Sequence, residues 1–122
     1  MIQVTTAVSI TSRQIADQVV AAIEGGASYW MKSFRRASST NPITVKPWYD
    51  DEHFYDADFS ISVALHDAAT PKVITQDDFR TGLIKMAEKY PRLFQEIVDE
   101  SGDANTADVF LQCVLFGEEV YS

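Results

Sequence analysis

Apolar and polar residues alternate most regularly between positions 59 and 66. Apolar side chains occupy every second position, and small or polar side chains stand between them: Phe59, Ile61, Val63 and Leu65 against Ser60, Ser62, Ala64 and His66. A period of two predicts a β-strand with one buried face. Because the other face is polar, we expect an antiparallel sheet that helices cover on one side.

A helical pattern begins near Thr11, well before the strand. Thr11 and Gln14 have the spacing of a capping box, which bonds the free N–H groups at a helix start. An apolar stripe follows at intervals of four residues: Ile15, Val19 and Ile23. The pair Gly25-Gly26 interrupts the stripe, and two aromatic residues, Trp30 and Phe34, resume it. The helix is therefore expected either to end at the glycines or to continue to about residue 36.

The segments around the clear strand have weaker patterns. Residues 37–42 have the composition of a loop. Residues 43–48 alternate, and Pro47, which has no N–H to donate, predicts an edge strand or a strand end there. Residues 49–58 mix acidic and aromatic side chains and are interpreted as a surface connection. Residues 67–71 are expected to form a turn, and residues 72–74 are too few to assign.

The last third of the chain predicts three helices. Thr75 and Asp78 cap the first, whose buried face consists of Phe79, Leu83, Met86 and Tyr90. A shorter helix starts at Pro91 and ends near Gly102. Asp103 or Asn105 caps the last helix, and Gly117 ends it. Because Gln112 is the one strongly polar residue between positions 109 and 116, this helix is expected to be central. Residues 118–122 are either a tail or a final edge strand.

Together these elements predict an α+β fold in one domain, residues 1–122. It has an N-terminal helix, a small antiparallel sheet of two to four strands, and C-terminal helices packed on one face of the sheet. The predicted core is drawn from every element: Ile15, Val19, Ile23, Trp30, Phe59, Ile61, Val63, Leu65, Phe79, Leu83, Phe94, Ile97, Val109, Phe110, Val114 and Phe116.

Charge narrows the classes of partner. Eighteen acidic and ten basic residues give a formal charge of −8. Such a protein repels nucleic-acid phosphates and anionic membranes, so we expect neither as a direct partner. The charge fits simple solubility, or carboxylates that meet a basic groove on another protein. With one cysteine and no apolar run long enough for a membrane span or a leader peptide, a cytoplasmic location is expected.

Catalytic signatures are weak, so we expect neither an enzyme nor a bound cofactor. The two histidines, His53 and His66, lack the further ligands that zinc or iron needs, and no metal site is predicted. Cys113 lies in the most apolar run of the chain, where a thiol is un-ionised. No nucleophile elbow or phosphate-binding glycine pattern is present.

Two stretches resemble a family of small, uncharacterised proteins encoded by tailed bacteriophages and prophages. The first runs from Glu24 to Trp30 (EGGASYW), and the second from Asp103 to Gln112 (DANTADVFLQ), followed by Phe116-Gly117-Glu118. The resemblance implies a phage origin and brings no catalytic or ligand-binding residues with it. Proteins of this class often work in the host cytoplasm, where they block a host enzyme or defence complex or sequester a signalling nucleotide.

Three hypotheses of function follow. The first is an accessory protein that binds a host protein through an acidic surface: Asp50, Asp51, Glu52, Asp56 and Asp58. The second is a nucleotide-binding protein that uses aromatic faces, an amide and nearby cations: Tyr29, Trp30, Arg35, Arg36 and Gln112. In the alternative for those residues, the glycines admit the last helix, Trp30 fills core and Gln112 bonds the glycine backbone. The third is a role in virion structure or assembly. A homo-oligomer is compatible with each.

Overall fold

A computed structural model describes residues 1–4, 7–42 and 45–122. Within these ranges, four α-helices and three β-strands make an α+β fold, as the sequence predicted. Their order is α1 (Ser12–Ala21), β1 (Met31–Ser39), β2 (Phe59–Leu65), β3 (Lys72–Thr75), α2 (Gln76–Lys89), α3 (Pro91–Val98) and α4 (Ala104–Phe116). A π-helical turn, Ala22–Gly26, extends α1, and two short 3-10 helices, Trp48–Asp50 and Glu52–Asp56, precede β2.

The first helix begins as predicted and ends where the glycines stand. Thr11 and Gln14 form the capping box. The alternative in which the helix continued to residue 36 is wrong, because β1 starts at Met31. A Cβ on Gly26 would lie 2.3 Å from the carbonyl oxygen of Ala104, so this glycine admits the start of α4 against the π-helical turn, as predicted.

The sheet has the order β1-β2-β3 and is antiparallel throughout. The alternating strand predicted from residue 59 is β2, and its apolar positions are all buried. β1 extends to Ser39, so the loop predicted for residues 37–42 is only partly correct. The short segment at residues 72–74 belongs to β3. Of the edge strand predicted at 43–48, Ile43 and Thr44 lie outside the described residues, and residues 45–47 form bends.

Both outer strands have features that oppose pairing with another chain. β1 carries register irregularities between Met31 and Ser33 and between Arg36 and Ser38, and its exposed residues include three cations, Lys32, Arg35 and Arg36. β3 has only four residues. Bulges, charge and short length are the usual protections of sheet edges, so strand addition is disfavoured at both sides.

The C-terminal helices begin where they were predicted to begin, but α3 ends at Val98, before the predicted end near Gly102. Thr75 and Asp103 cap α2 and α4, and Gly117 ends α4 with φ 77°. All residues of α4 from Thr106 to Leu115 are buried, so this helix is the centre of the fold. A Cβ on Gly82 would lie 2.6 Å from the Cα of Val114, and α2 and α4 are therefore in backbone contact.

The core matches most of the prediction. Eleven predicted residues are buried, and the other five, Ile15, Ile23, Leu83, Phe94 and Phe116, are half-buried against them. The surface connection predicted at residues 49–58 is partly wrong, because Phe54 and Tyr55 are buried. The second 3-10 helix turns both rings inward, where Phe54 lies 4.8 Å from Phe59 between ring centroids. Among the described residues no helix is both long and apolar enough to cross a membrane.

Candidate functional site

Gln112 holds the end of the chain. Its amide is fully buried, and its Oε1 accepts from the backbone N–H groups of Val120 and Tyr121 at 2.6 and 2.8 Å. Its Nε2 donates to the carbonyl of Tyr121 at 3.1 Å and to Asp108 at 2.9 Å. The prediction that Gln112 bonds the Gly25-Gly26 backbone is wrong. The tail, residues 118–122, takes those bonds because it folds back over α4, and it is not an edge strand.

Asp108 is a buried carboxylate satisfied by neutral donors. Besides Gln112 it accepts from the indole Nε1 of Trp30 at 2.7 Å and the hydroxyl of Tyr29 at 2.6 Å. Three such bonds replace the water that an ionised carboxylate needs. Burial, and then the neighbouring Asp108, raise the pKa of Tyr29 to about 12. Sequence reasoning missed Asp108, although its position one turn before Gln112 on the same helix was a usable signal.

The aromatic surface predicted to stack on a ligand is covered by other aromatic side chains of the same chain. Trp30 and Tyr121 are parallel within 2°, with ring centroids 5.7 Å apart. Phe116 packs against Trp30 at a tilt, 6.0 Å between centroids, and Trp30 is only 2% exposed. The structure thus brings Tyr29, Trp30 and Gln112 together. Trp30 lies in the core, as predicted by the alternative in which it does not stack on a ligand.

The cations predicted for that ligand do not join the aromatic cluster. Arg35 and Arg36 lie further along β1, where they pair with Ser62 and Ile61 of β2, and both are exposed. A phosphate held by them would therefore be separate from a base stacked on Trp30. The alternative in which the first helix continued to about residue 36 had placed these arginines just beyond Trp30 in one helix, and the strand removes that relation.

The acidic stretch predicted to bind a partner is largely engaged within the fold. Asp50 pairs with Arg13 of α1 at 2.5 Å. Asp51 is buried and caps the second 3-10 helix, because its side chain accepts from the backbone N–H of His53. Glu52 is half-buried, and Asp58 is exposed.

Asp56, the remaining member of that stretch, links the 3-10 helix to the start of α1. It accepts from the hydroxyl of Ser12 and lies 3.2 Å from Nδ1 of His53. These two contacts hold the pKa of its carboxyl below the usual value. Asp56 and Asp58 are the two members of the predicted set that also line an open groove.

This groove, of about 1280 Å³, lies between the start of α1 and one face of α2. Buried rings of Tyr55, Phe59 and Phe79 form part of it, and burial raises the pKa of Tyr55. Aliphatic and aromatic side chains from the N-terminal residues, α1, α2 and α3 make up the rest of its apolar lining: Val8, Ile10, Ile15, Leu83, Ile84, Ala87 and Phe94.

Carboxylates predominate among the charged groups of the groove. They come from the 3-10 helix, the segment before β2 and both ends of α2: Asp56, Asp58, Asp77 and Glu88. The one cation of the lining is Arg80, which pairs with Asp77. The groove therefore combines an apolar lining with a net negative charge, and a cationic, partly apolar group matches both properties. Sequence reasoning missed the groove because its lining comes from segments far apart in the chain.

The metal-ligating and nucleophilic side chains of the described residues are dispersed. No cluster of three or more metal-ligating side chains occurs in the described parts of the chain. His66 Nε2 lies 3.1 Å from the carbonyl oxygen of Ser28, whereas His53 contacts Asp56. The two histidines therefore contact different segments of the chain. Burial raises the pKa of the Cys113 thiol to about 11, so this side chain stays un-ionised at neutral pH.

Comparison of the chain with protein-family models, curated proteins and solved structures gives no match.

Proposed function

We propose that this chain is a bacteriophage accessory protein that acts without catalysis, by binding a host protein in the host cytoplasm and blocking a host enzyme or defence complex. The groove between α1 and α2 is the binding surface of this proposal. The phage origin rests on the resemblance of the two sequence motifs. The binding mode rests on the groove.

One observation carries the proposal: an open apolar groove is edged by unbalanced negative charge. Ile84 is 48% exposed on α2, and Asp58 and Glu88 are exposed in the same lining. An exposed apolar patch beside charged residues is typical of protein interaction sites. The carboxylates select a partner segment that carries lysine or arginine, while the apolar lining supplies most of the affinity.

The groove narrows the set of acidic residues proposed to meet the partner. Asp50, Asp51 and Glu52 do not line the groove and are removed from the set, and Asp50 and Asp51 also make contacts inside the fold. Asp56 and Asp58 stay, and Asp77 and Glu88 of α2 join them. Asp58 and Glu88 are the best residues to test, because neither side chain caps a helix.

The proposal is tested by capture and then by direct binding. The full chain is immobilised, bacterial proteins retained from lysate are identified, and each is purified and titrated against the free chain. Asp58→Lys combined with Glu88→Lys should raise the Kd at least about tenfold, and added salt should weaken wild-type binding. Ile84→Asp should also weaken it, because it places a charge in the apolar lining.

Matched variants control for net charge and for surface polarity. Glu118→Lys with Glu119→Lys makes the same change in charge on the exposed tail, away from the groove lining. Val73→Asp alters an apolar side chain on β3 that is exposed to a similar degree. Binding that the groove variants leave unchanged, or that both control variants weaken equally, contradicts the proposal.

A nucleotide-binding function has less support, since Tyr121 and Phe116 already pack against Trp30. A thermal-shift screen with cyclic and ADP-ribose nucleotides tests it, because a ligand that binds the folded chain raises its Tm. A role in the virion predicts that the protein is found by proteomics in purified particles.

A further inference from the structure

One continuous stripe of α2 forms a wall of the groove. Its lining residues recur one helical turn apart from Gln76 to Glu88, which is about 18 Å of helix. A spacing of four, three and four positions runs through the stripe: Gln76, Arg80, Leu83 and Ala87. A helix that packs along a second helix presents its side chains at this spacing.

The apolar part of the stripe is only partly covered by the described residues. Ile84 is 48% exposed, and Leu83 and Ala87 are half-buried. Gly82 contacts Val114 on the other side, so α2 turns one face to α4 and another to the groove. Ala87 has a short side chain, which allows a second helix to approach α2 closely.

The size of the groove favours a segment of a protein over a small molecule. Its volume of about 1280 Å³ exceeds the range of about 300–1,000 Å³ that is usual for small-molecule pockets. The groove is also open along its length, between the start of α1 and the stripe of α2.

The walls determine the secondary structure that such a segment needs. Beyond the first turn, the N–H groups of α1 and α2 bond within each helix, so these walls present side chains and no row of free backbone groups. Thr75, the last residue of β3 in the lining, donates its N–H to Asp78 at 2.8 Å. An extended segment would therefore leave backbone groups without partners against the walls, whereas a helix satisfies its own.

Negative charge lies at both ends of the stripe. Asp58 is exposed just before β2, and because Ser60 of β2 pairs with Thr75, it lies near the start of α2. Glu88 is exposed at the other end, where its ion pair with Lys85, at 3.9 Å, is weak. A helix laid along the stripe therefore meets a carboxylate at each end and an apolar surface between them.

We infer, resting on the proposed function for the binding surface itself, that the groove binds an amphipathic α-helix of the partner with lysine or arginine at both ends. Its apolar residues, at i, i+4 and i+7, pack against Leu83, Ile84 and Ala87. Its two cations meet Asp58 and Glu88, and they stand about eleven positions apart, the number that spans the stripe at 1.5 Å per residue.

Selection from a displayed library of random peptides tests the inference. The peptides have about 16 residues, which is long enough for a helix. The full chain retains binders, and chains with Ile84→Asp or Val73→Asp, which changes an exposed apolar residue outside the groove, are the comparison. Peptides lost on Ile84→Asp and kept on Val73→Asp should share the apolar helical stripe and the two basic ends.

Three results of the selection overturn the inference. The first is a set of peptides with apolar residues at every second position, which indicates an extended segment. The second is a set of proline-rich peptides, which indicates a polyproline helix. The third is a selection in which no peptide depends on Ile84.

Proline substitution tests whether a selected peptide binds as a helix. One residue in the middle of its polar face is changed to proline, which breaks the helix and removes no apolar contact, or to alanine as the matched control. Fluorescence anisotropy measures binding to the unchanged chain. Proline should raise the Kd at least about 30-fold, and alanine less than about twofold. Equal effects of the two substitutions overturn the inference.

Charge exchange tests the two ends of the bound helix. Glu88→Lys should raise the Kd at least about tenfold, and a peptide with glutamate in place of the basic residue at one end should restore binding. Asp58→Lys should be rescued by the same change at the opposite end. Rescue of both variants by one end, or of neither by either end, overturns the inference.

Failure of the helix and failure of the proposed function have different signatures. A host protein that needs the groove but inserts an extended segment overturns the helix and leaves the proposed function in place. A chain that selects basic amphipathic helices and captures no host protein overturns the proposed function and supports the helix.

Discussion

The rings of Trp30 and Tyr121 stack in parallel, 5.7 Å apart between centroids, although 91 positions separate them in the chain. Tyr121→Ala removes this stack and the cover over Trp30, and we expect it to lower the free energy of unfolding by about 2 kcal/mol. Denaturant titration followed by tryptophan fluorescence measures the loss. Tyr121→Phe keeps the ring and gives up only the bonds to Asp67, so it should cost less than about 1 kcal/mol. Equal losses in the two variants would show that the ring contact contributes little.

A charge at Gln112 should be far more disruptive than loss of its polar atoms. Gln112→Glu places a second carboxylate beside the buried Asp108 and removes the donor that now bonds it at 2.9 Å. We expect a loss of about 3 kcal/mol or more in the free energy of unfolding at pH 7. Gln112→Met, of similar size, should lose less. The difference should shrink on acidification, as the new carboxyl takes up a proton, and a difference independent of pH would refute this account.

Alkaline pH should destabilise the fold through Tyr29. Its pKa of about 12 in the folded state exceeds the ordinary value of 10.0, so the folded chain keeps a proton that the unfolded chain releases. The associated stability is complete below pH 10 and is lost as pH rises from 10 to 12. Tyr29→Phe should make the stability fall less steeply over that range, measured by urea unfolding at pH 9, 10 and 11. Identical slopes would argue against the raised pKa.

The start of α1 should depend on one hydroxyl. Thr11 accepts from the backbone N–H of Gln14 at 3.1 Å, and the side chain of Gln14 accepts in return at 2.8 Å. Thr11→Ala should reduce the free energy of unfolding by about 1 kcal/mol. Thr11→Ser retains the acceptor and serves as the control. If serine is as destabilising as alanine, the methyl group rather than the cap is responsible.

Local patterns were sufficient for elements whose signal lies within a few residues. The alternation of β2 and the caps at Thr11, Thr75 and Asp103 were predicted because each is decided by adjacent chemistry. β1 was misassigned because Trp30 and Phe34 happen to have helical spacing. Its true partner, β2, lies about 25 positions further on, and pairing with it outweighs the local preference.

The candidate sites depended on contacts that no local pattern contains. The sequence singled out Gln112 as misplaced, but the bonds that satisfy it come from a tail eight and nine positions away that folds back. The groove joins residues between Val8 and Phe94, so it exists only once α1, α2 and the second 3-10 helix have packed. Acidic composition alone made Asp50 and Asp51 candidates for partner binding. In the structure Asp50 pairs with Arg13, and Asp51 accepts from the backbone of His53.

The contact of Gly82 with Val114 also determines the width of the groove on the opposite side of α2. Because the helix rests directly on the backbone of α4, the absence of a side chain at this one position fixes how deeply α2 is seated. Leu83 and Ile84, its immediate neighbours, line the groove. A methyl group at residue 82 would lift the whole helix and with it one wall of the groove. The width of the opening is therefore set inside the molecule, by the missing side chain of a buried residue that does not line the groove.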